Sequence, residues 1–194
     1  MARILKGAAL GKHVHPISVA FYHEAGNLGL IDEQVELLQG VLFDKMSKSP
    51  LHYAIFQRLL GMLNALSLDG YCIRSEGPIT TTDSEPEPDL AVCKGSENDF
   101  FDSHPTTAEL VIEVAISSLE IDRKKAEIYA AAGVTEYWIV MPKTKAIEVY
   151  TKPSSDHYES IKTFEGSTTV ASLVFPELSV QLPDLFLPPK ELAK

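Results

Sequence analysis

Two acidic residues stand where hydrophobic burial ought to exclude them. Glu113 lies inside Leu110-Val111-Ile112-Glu113-Val114-Ala115-Ile116, a β-branched run that reads as a central buried strand. An ionised carboxylate in such a run is costly unless it is paired, protonated or bound to a metal. Asp89 follows Pro88 and opens the apolar run Leu90-Ala91-Val92. Each has an ordinary reading: Glu113 on an exposed strand face or in a structural ion pair, Asp89 as a turn residue capping a strand. Together, at neighbouring strand ends, they could share a hard cation. Mg²⁺ takes one or two carboxylates and fills its other positions with water, carbonyl and phosphate oxygens. The chemistry that follows is metal-assisted hydrolysis of a phosphodiester.

An ammonium group would complete such a site, orienting or helping to deprotonate the attacking water, or steadying charge on the phosphate. Lys124 and Lys125 both open the helix after the Glu113 strand, although Asp122-Arg123-Lys124-Lys125 also reads as a solvated helix start. Lys125 precedes Tyr129 at i,i+4 spacing, so the two share a helical face. If Tyr129 packs on the sheet, Lys125 leans toward Glu113. Two weaker candidates are His52, near the start of a long amphipathic helix, and Glu36, a charge inside Val35-Glu36-Leu37-Leu38-Gln39-Gly40. Either could stand beside a metal or be ordinary surface.

The elements that must position these residues are readable from periodicity. Ser18 to Gly26 reads as a short helix, and Gln34 to Met46 as a strand pair turning at Gln39-Gly40. Leu51 to Leu68 repeats apolar residues at helical spacing, with Pro50 just outside its start. Tyr71 to Thr82 reads as a strand, Ser84 to Pro88 as a turn, Asp89 to Cys93 as a strand and Lys94 to Thr107 as a polar loop. The Asp89 and Glu113 strands are joined by a loop too short for a helical crossover, so they should be antiparallel. Ile121 to Ala132 reads as a helix stopped by Gly133. Strands at 136–141, 146–151 and 158–164 follow. The Pro-rich tail from Phe175 should pack as extended segments, frayed at Pro188-Pro189. This order predicts an α/β (α+β) domain whose central mixed sheet is flanked by helices.

Composition bounds the partners. A chain of 194 residues suits a single domain, 1–194, with a core near 18–187. No apolar run reaches the roughly 18 residues of a membrane span. The stretch Met1 to His15 lacks the apolar core of a signal peptide, so a cytoplasmic protein is expected. Cys72 and Cys93 have no ligand-like spacing and read as reduced thiols. The net charge of −10 argues against metal-free binding to nucleic acid through bulk electrostatics. It leaves room for a nuclease, because bound cations and a local basic patch offset an acidic average.

Taken together, Pro88-Asp89-Leu90-Ala91-Val92, the Glu109 to Ala115 run, Ser117-Ser118, Asp122-Arg123-Lys124-Lys125, Ile128-Tyr129 and Ala132 to Val140 resemble the Uma-type restriction endonuclease family of the PD-(D/E)XK nuclease superfamily. The resemblance extends upstream to the hairpin bearing Glu36 and the helix entry Pro50-Leu51-His52. It implies a restriction-endonuclease-like core and Mg²⁺-dependent hydrolysis of DNA, with Mn²⁺ able to substitute. Asp89 and Glu113 would be metal ligands with the backbone carbonyl of Val114. Glu36 would sit on the rim and His52 nearby. The superfamily's usual lysine two residues after the glutamate is Ala115 here. The family supplies that lysine from the next helix, where Lys125 matches by its distance to Tyr129 and Lys124 stays open. Cutting both strands calls for two sites, which makes a homodimer an expectation of the task. The acidic charge and displaced lysine motivate a rival from another class: a catalytically degenerate nuclease-fold protein that binds nucleic acid or a protein partner without cleavage. RNA as the substrate is a third reading.

Overall fold

Alternation along one strand sets the architecture. The structure is a computed structural model that describes residues 13–187. In β5, Leu110–Val114, the side chains of Leu110, Ile112 and Val114 pack with Ile55, Phe56, Leu59 and Leu63 of α2, Pro50–Asn64. Val111 faces the other way, into a cluster with Ala126, Tyr129 and Ala130 of α3, Leu119–Ala131. Side chains alternate with period two, so Glu113 is on the α3 side. Every residue of β5 is buried, as a strand covered on both faces must be.

The central sheet adds β3 (Tyr71–Ser75), β4 (Leu90–Lys94), β6 (Glu136–Met141), β7 (Ala146–Ser154) and β8 (His157–Phe164). Its order is β3-β4-β5-β6-β7-β8. The pair β5–β6 is parallel and is bridged by α3, the crossover that parallel pairing requires. Every other neighbouring pair in this sheet is antiparallel, including β4–β5 as the short connection predicts. Cys72 and Cys93 face each other across β3–β4 as free, buried thiols. Burial pushes the Cys93 thiol up to about 12, so it stays protonated and unreactive at neutral pH.

The remaining elements lie outside the central sheet. Ser18 caps α1, Val19–Asn27, by accepting a hydrogen bond from the Phe21 amide. The hairpin of β1 (Val35–Leu38) and β2 (Val41–Asp44) turns at Gln39 and Gly40, with φ of 49° and 76°. Paired positive φ values are what a two-residue hairpin turn needs. A Cβ at Gly40 would fall 2.4 Å from the Cβ of Pro16, so the turn admits no side chain there.

Three expectations from the sequence are corrected. The α2 helix takes Pro50 as its first residue and ends at Asn64, short of Leu68, with Ala65 as C-cap. Pro tolerates the first helical position because no intrahelical donor is needed there. The strand expected over 71–82 stops at Ser75, because Glu76 turns to φ 54° and the chain leaves the ladder. The tail is not wholly extended. Its stretch β10 (Ser179–Gln181) pairs antiparallel with β9 (Thr169–Ala171), which lies just ahead of the tail, and a short helix α4, Leu182–Leu185, follows. Pro188-Pro189 and most of the stretch 1–15 lie outside the described residues.

Candidate active site

The ends of β4 and β5 bring the two anomalous acids into contact. Because β4 and β5 run antiparallel, Asp89, just ahead of β4, meets the far end of β5. The Val114 amide donates to Asp89 Oδ2 at 2.7 Å, and the Asp89 amide donates to Glu113 Oε2 at 3.3 Å. His52, in the first turn of α2, places Nε2 3.0 Å from the same Asp89 Oδ2. With Oδ2 held twice, Asp89 Oδ1 takes no hydrogen bond among the described residues; its nearest cation is Lys48, at 4.0 Å.

Glu113 is held from the helix side. Lys125 Nζ and the Tyr129 hydroxyl each donate to Glu113 Oε1 at 3.0 Å. The i,i+4 spacing brings both down onto the sheet from one face of α3. Lys125 also reaches Glu36 Oε2 of β1 at 3.0 Å, and Glu36 Oε2 accepts from the Glu87 amide at 3.2 Å. Asp122 completes the group: it is buried, and Ser118 Oγ donates to its Oδ2 at 2.6 Å.

This cluster carries more acid than base. Burial pushes the Glu113 carboxyl up to about 8; Lys125 pulls it down, and Asp122, Asp89 and Glu36 drive it further up. Burial pushes Asp122 up to about 6, against the lowering effects of Lys125 and the Ser118 hydroxyl. Burial works against the charged form of Lys125. The Glu113, Glu36 and Asp122 carboxylates outweigh it and hold the ammonium above its ordinary range. One buried ammonium therefore cannot neutralise its carboxylate neighbours, and the remaining charge calls for a proton or a second cation.

A cavity of about 70 Å³ opens over this cluster. It is wide enough for a few waters or a hydrated ion. Asp89, Glu113, Val114, Lys125, Glu36 and His52 all line it, so the structure gathers these residues from four separate elements and a loop. Lys124 does not line it and is half-buried elsewhere on α3. Asp122 and Lys48 line it too. Sequence reasoning named neither as a site residue: Asp122 fell in a stretch read as a solvated helix start, and Lys48 was not singled out. The available signal was that Ser118 precedes Asp122 by one helical turn, a spacing that lets the hydroxyl hold the carboxylate inward.

The donor set suits a hard divalent ion. Asp89 Oδ1 is unbonded, Glu113 Oε2 carries one long hydrogen bond, and the local charge is anionic. Among the described residues no three His, Cys, Asp or Glu side chains already converge as a ready-made cage. Mg²⁺ rarely has one; it uses one or two carboxylates and keeps several waters.

The architecture is that of a known nuclease-like fold. The chain is similar to the crystal structure of a "putative nuclease belonging to DUF820" from Anabaena variabilis, with a TM-score of 0.70 at 20% identity, covering 88% of this chain and 98% of that one. Residues 29–183 match the family model Uma2, described as "Putative restriction endonuclease", and the chain belongs to that family. No curated protein matches the sequence. Among the described residues no helix is long and apolar enough to cross a membrane.

Proposed function

We propose that this chain is a divalent-metal-dependent endonuclease that hydrolyses DNA phosphodiester bonds. The observation that carries the reading is the meeting of Asp89, Glu113 and Lys125 at one cavity, with Lys125 Nζ 3.0 Å from Glu113 Oε1. Asp89, Glu113 and the Val114 carbonyl would hold Mg²⁺, with Mn²⁺ able to replace it. When bound, the ion supplies Lewis acidity, acidifying water and drawing charge from phosphate oxygens.

The chain's own groups do the rest. His52 and the Val114 amide fix Asp89 through Oδ2 and leave Oδ1 for the cation. Tyr129, whose hydroxyl burial keeps neutral, anchors Glu113 through Oε1. Lys125 is held as an ammonium, so its role is to donate hydrogen bonds to water and to the phosphate as charge builds, rather than to remove a proton. Glu36 aims that ammonium from the rim.

Purified protein with Mg²⁺ or Mn²⁺ should nick or cut plasmid DNA, Asp89→Ala and Glu113→Ala should each abolish it, and Lys125→Ala should leave only a small residue of it. Cleavage at the wild-type rate in all three variants refutes the site. One observation favours the rival reading of a non-cutting, nuclease-fold binding protein: Lys125 already ties Glu113 to Glu36, closing part of the site without metal. Calorimetry separates the two, since a degenerate site takes up neither ion at millimolar concentration.

A further inference from the structure

The cavity mouth poses an electrostatic problem. Glu36, Asp44, Glu87, Asp89 and Asp122 line it beside Glu113, and the ionised ones repel a phosphate. A backbone phosphate approaching them needs a cation that is not already spent. Lys125 is buried between two carboxylates. Lys45 is bound by Glu87 at 2.5 Å and by the Glu33 carbonyl at 2.8 Å. Lys48 differs: its side chain is 38% exposed, it stands 4.0 Å from Asp89 Oδ1, and among the described residues its one close partner is Glu76, at 2.7 Å and 42% exposed. An exposed ion pair of that kind is worth little and exchanges readily. Lys48 also lies two residues ahead of Pro50, where the positive end of the α2 dipole adds to its field.

We propose that Lys48 is the phosphate-docking residue of this site, released from Glu76 to grip the DNA backbone beside Asp89. The inference rests on the nuclease reading above. Lys48 makes a sequence-independent contact that sets affinity and leaves the chemical step to the buried cluster. Glu76 competes with the phosphate for the same ammonium.

The test is fluorescence anisotropy of a short labelled DNA duplex in Ca²⁺, across a salt series, beside KM and kcat for cleavage in Mg²⁺. One lost phosphate contact lowers the slope of log K against log salt by about 0.9, which is roughly fivefold in affinity near physiological salt. Lys48→Ala should show that loss and a matching rise in KM with kcat little changed. Lys48→Arg should keep the slope, and Glu76→Gln should tighten binding. Lys162→Ala, on the exposed outer strand β8, should leave the slope alone. A Lys48→Ala variant that binds and cuts like wild type, or that loses no more than Lys162→Ala, overturns the docking role while leaving the nuclease reading intact. Wild-type protein that neither binds nor cuts DNA in any divalent metal overturns both.

Discussion

Lys125 reaches Glu113 from a helix rather than from the strand, its Nζ 3.0 Å from Glu113 Oε1. The place two residues beyond the glutamate, on the same side of β5, is taken by Ala115, which packs with Ala126 and Tyr129. A methyl group there leaves room for the helical lysine to descend. The ammonium thus arrives at the carboxylate from α3, which makes that helix part of the proposed site.

That arrangement predicts a rescue. Lys125→Ala should lower cleavage by about 10²–10³, the usual cost of one charge-stabilising donor. Adding Ala115→Lys in the vacated space should return roughly tenfold, because residues 113 and 115 share a strand face. Rates from the single and double variants decide it. A double variant no faster than Lys125→Ala shows that the position of the lysine on α3, not the mere presence of an ammonium, is what matters.

Stability should fall as pH rises through the range where Glu113 titrates. Its carboxyl stands at about 8 in the folded chain against an ordinary 4.5. Between those values the folded state keeps a proton that the unfolded state has released. The contribution is fully present below 4.5 and is lost as pH climbs toward 8. Asp122, moved from 3.8 to about 6, acts in the same sense at lower pH. Urea midpoints of wild type and Glu113→Gln, compared from pH 4.5 to 8, should diverge with wild type losing ground. Convergence toward high pH would mean that Glu113 folds as a paired carboxylate.

A divalent ion should relieve the same strain. Mn²⁺ at ten times its dissociation constant stabilises a folded protein by about 1.4 kcal/mol. For a chain of this size that raises the melting temperature by roughly 3–6 °C. Asp89→Asn and Glu113→Gln should each erase the rise. His52→Ala should weaken it, since losing a group that orients a metal ligand typically costs 10–100-fold in affinity. Thermal scans with and without metal measure all four proteins, and no rise in wild type speaks for the non-cutting alternative.

How much of this was legible in the sequence depends on distance along the chain. Glu113 stood out because a charge inside an apolar run violates a local rule, Asp89 because it opens a neighbouring apolar run and could share a cation with Glu113, and Lys125 because its i,i+4 partner Tyr129 offered a face toward the sheet. Asp122 was hidden: a first-turn aspartate beside Arg123, Lys124 and Lys125 looks solvated, and only the packing of α3 on the sheet buries it. Lys48 was hidden for a different reason. Nothing local says that a loop after one hairpin will stand over the end of β4, more than forty residues later. The β9–β10 pair escaped notice because its strands are three residues each, too short for alternation to show.

The buried acid of β6 separates folding from function. Glu136 is fully buried and, among the described residues, faces no cation: Trp138 Nε1 donates to its Oε1 at 2.8 Å, while Ser172 Oγ at 2.5 Å and the Leu173 amide at 2.9 Å donate to Oε2. Every partner is a donor, so the carboxylate pins the segment after β9 to the central sheet. Glu136→Gln keeps the shape but turns one acceptor into an NH₂ group, which must then face a donor. Hydrogen bonds to a charged group are worth about 1.5–3 kcal/mol, so a loss of that order is expected in urea unfolding. The single tryptophan, Trp138, reports the change directly through its fluorescence. Because Glu136 does not line the cavity, the variant at low temperature should keep the wild-type response to Mn²⁺. A variant that instead loses the metal response while staying folded would show that the two ends of the sheet are coupled.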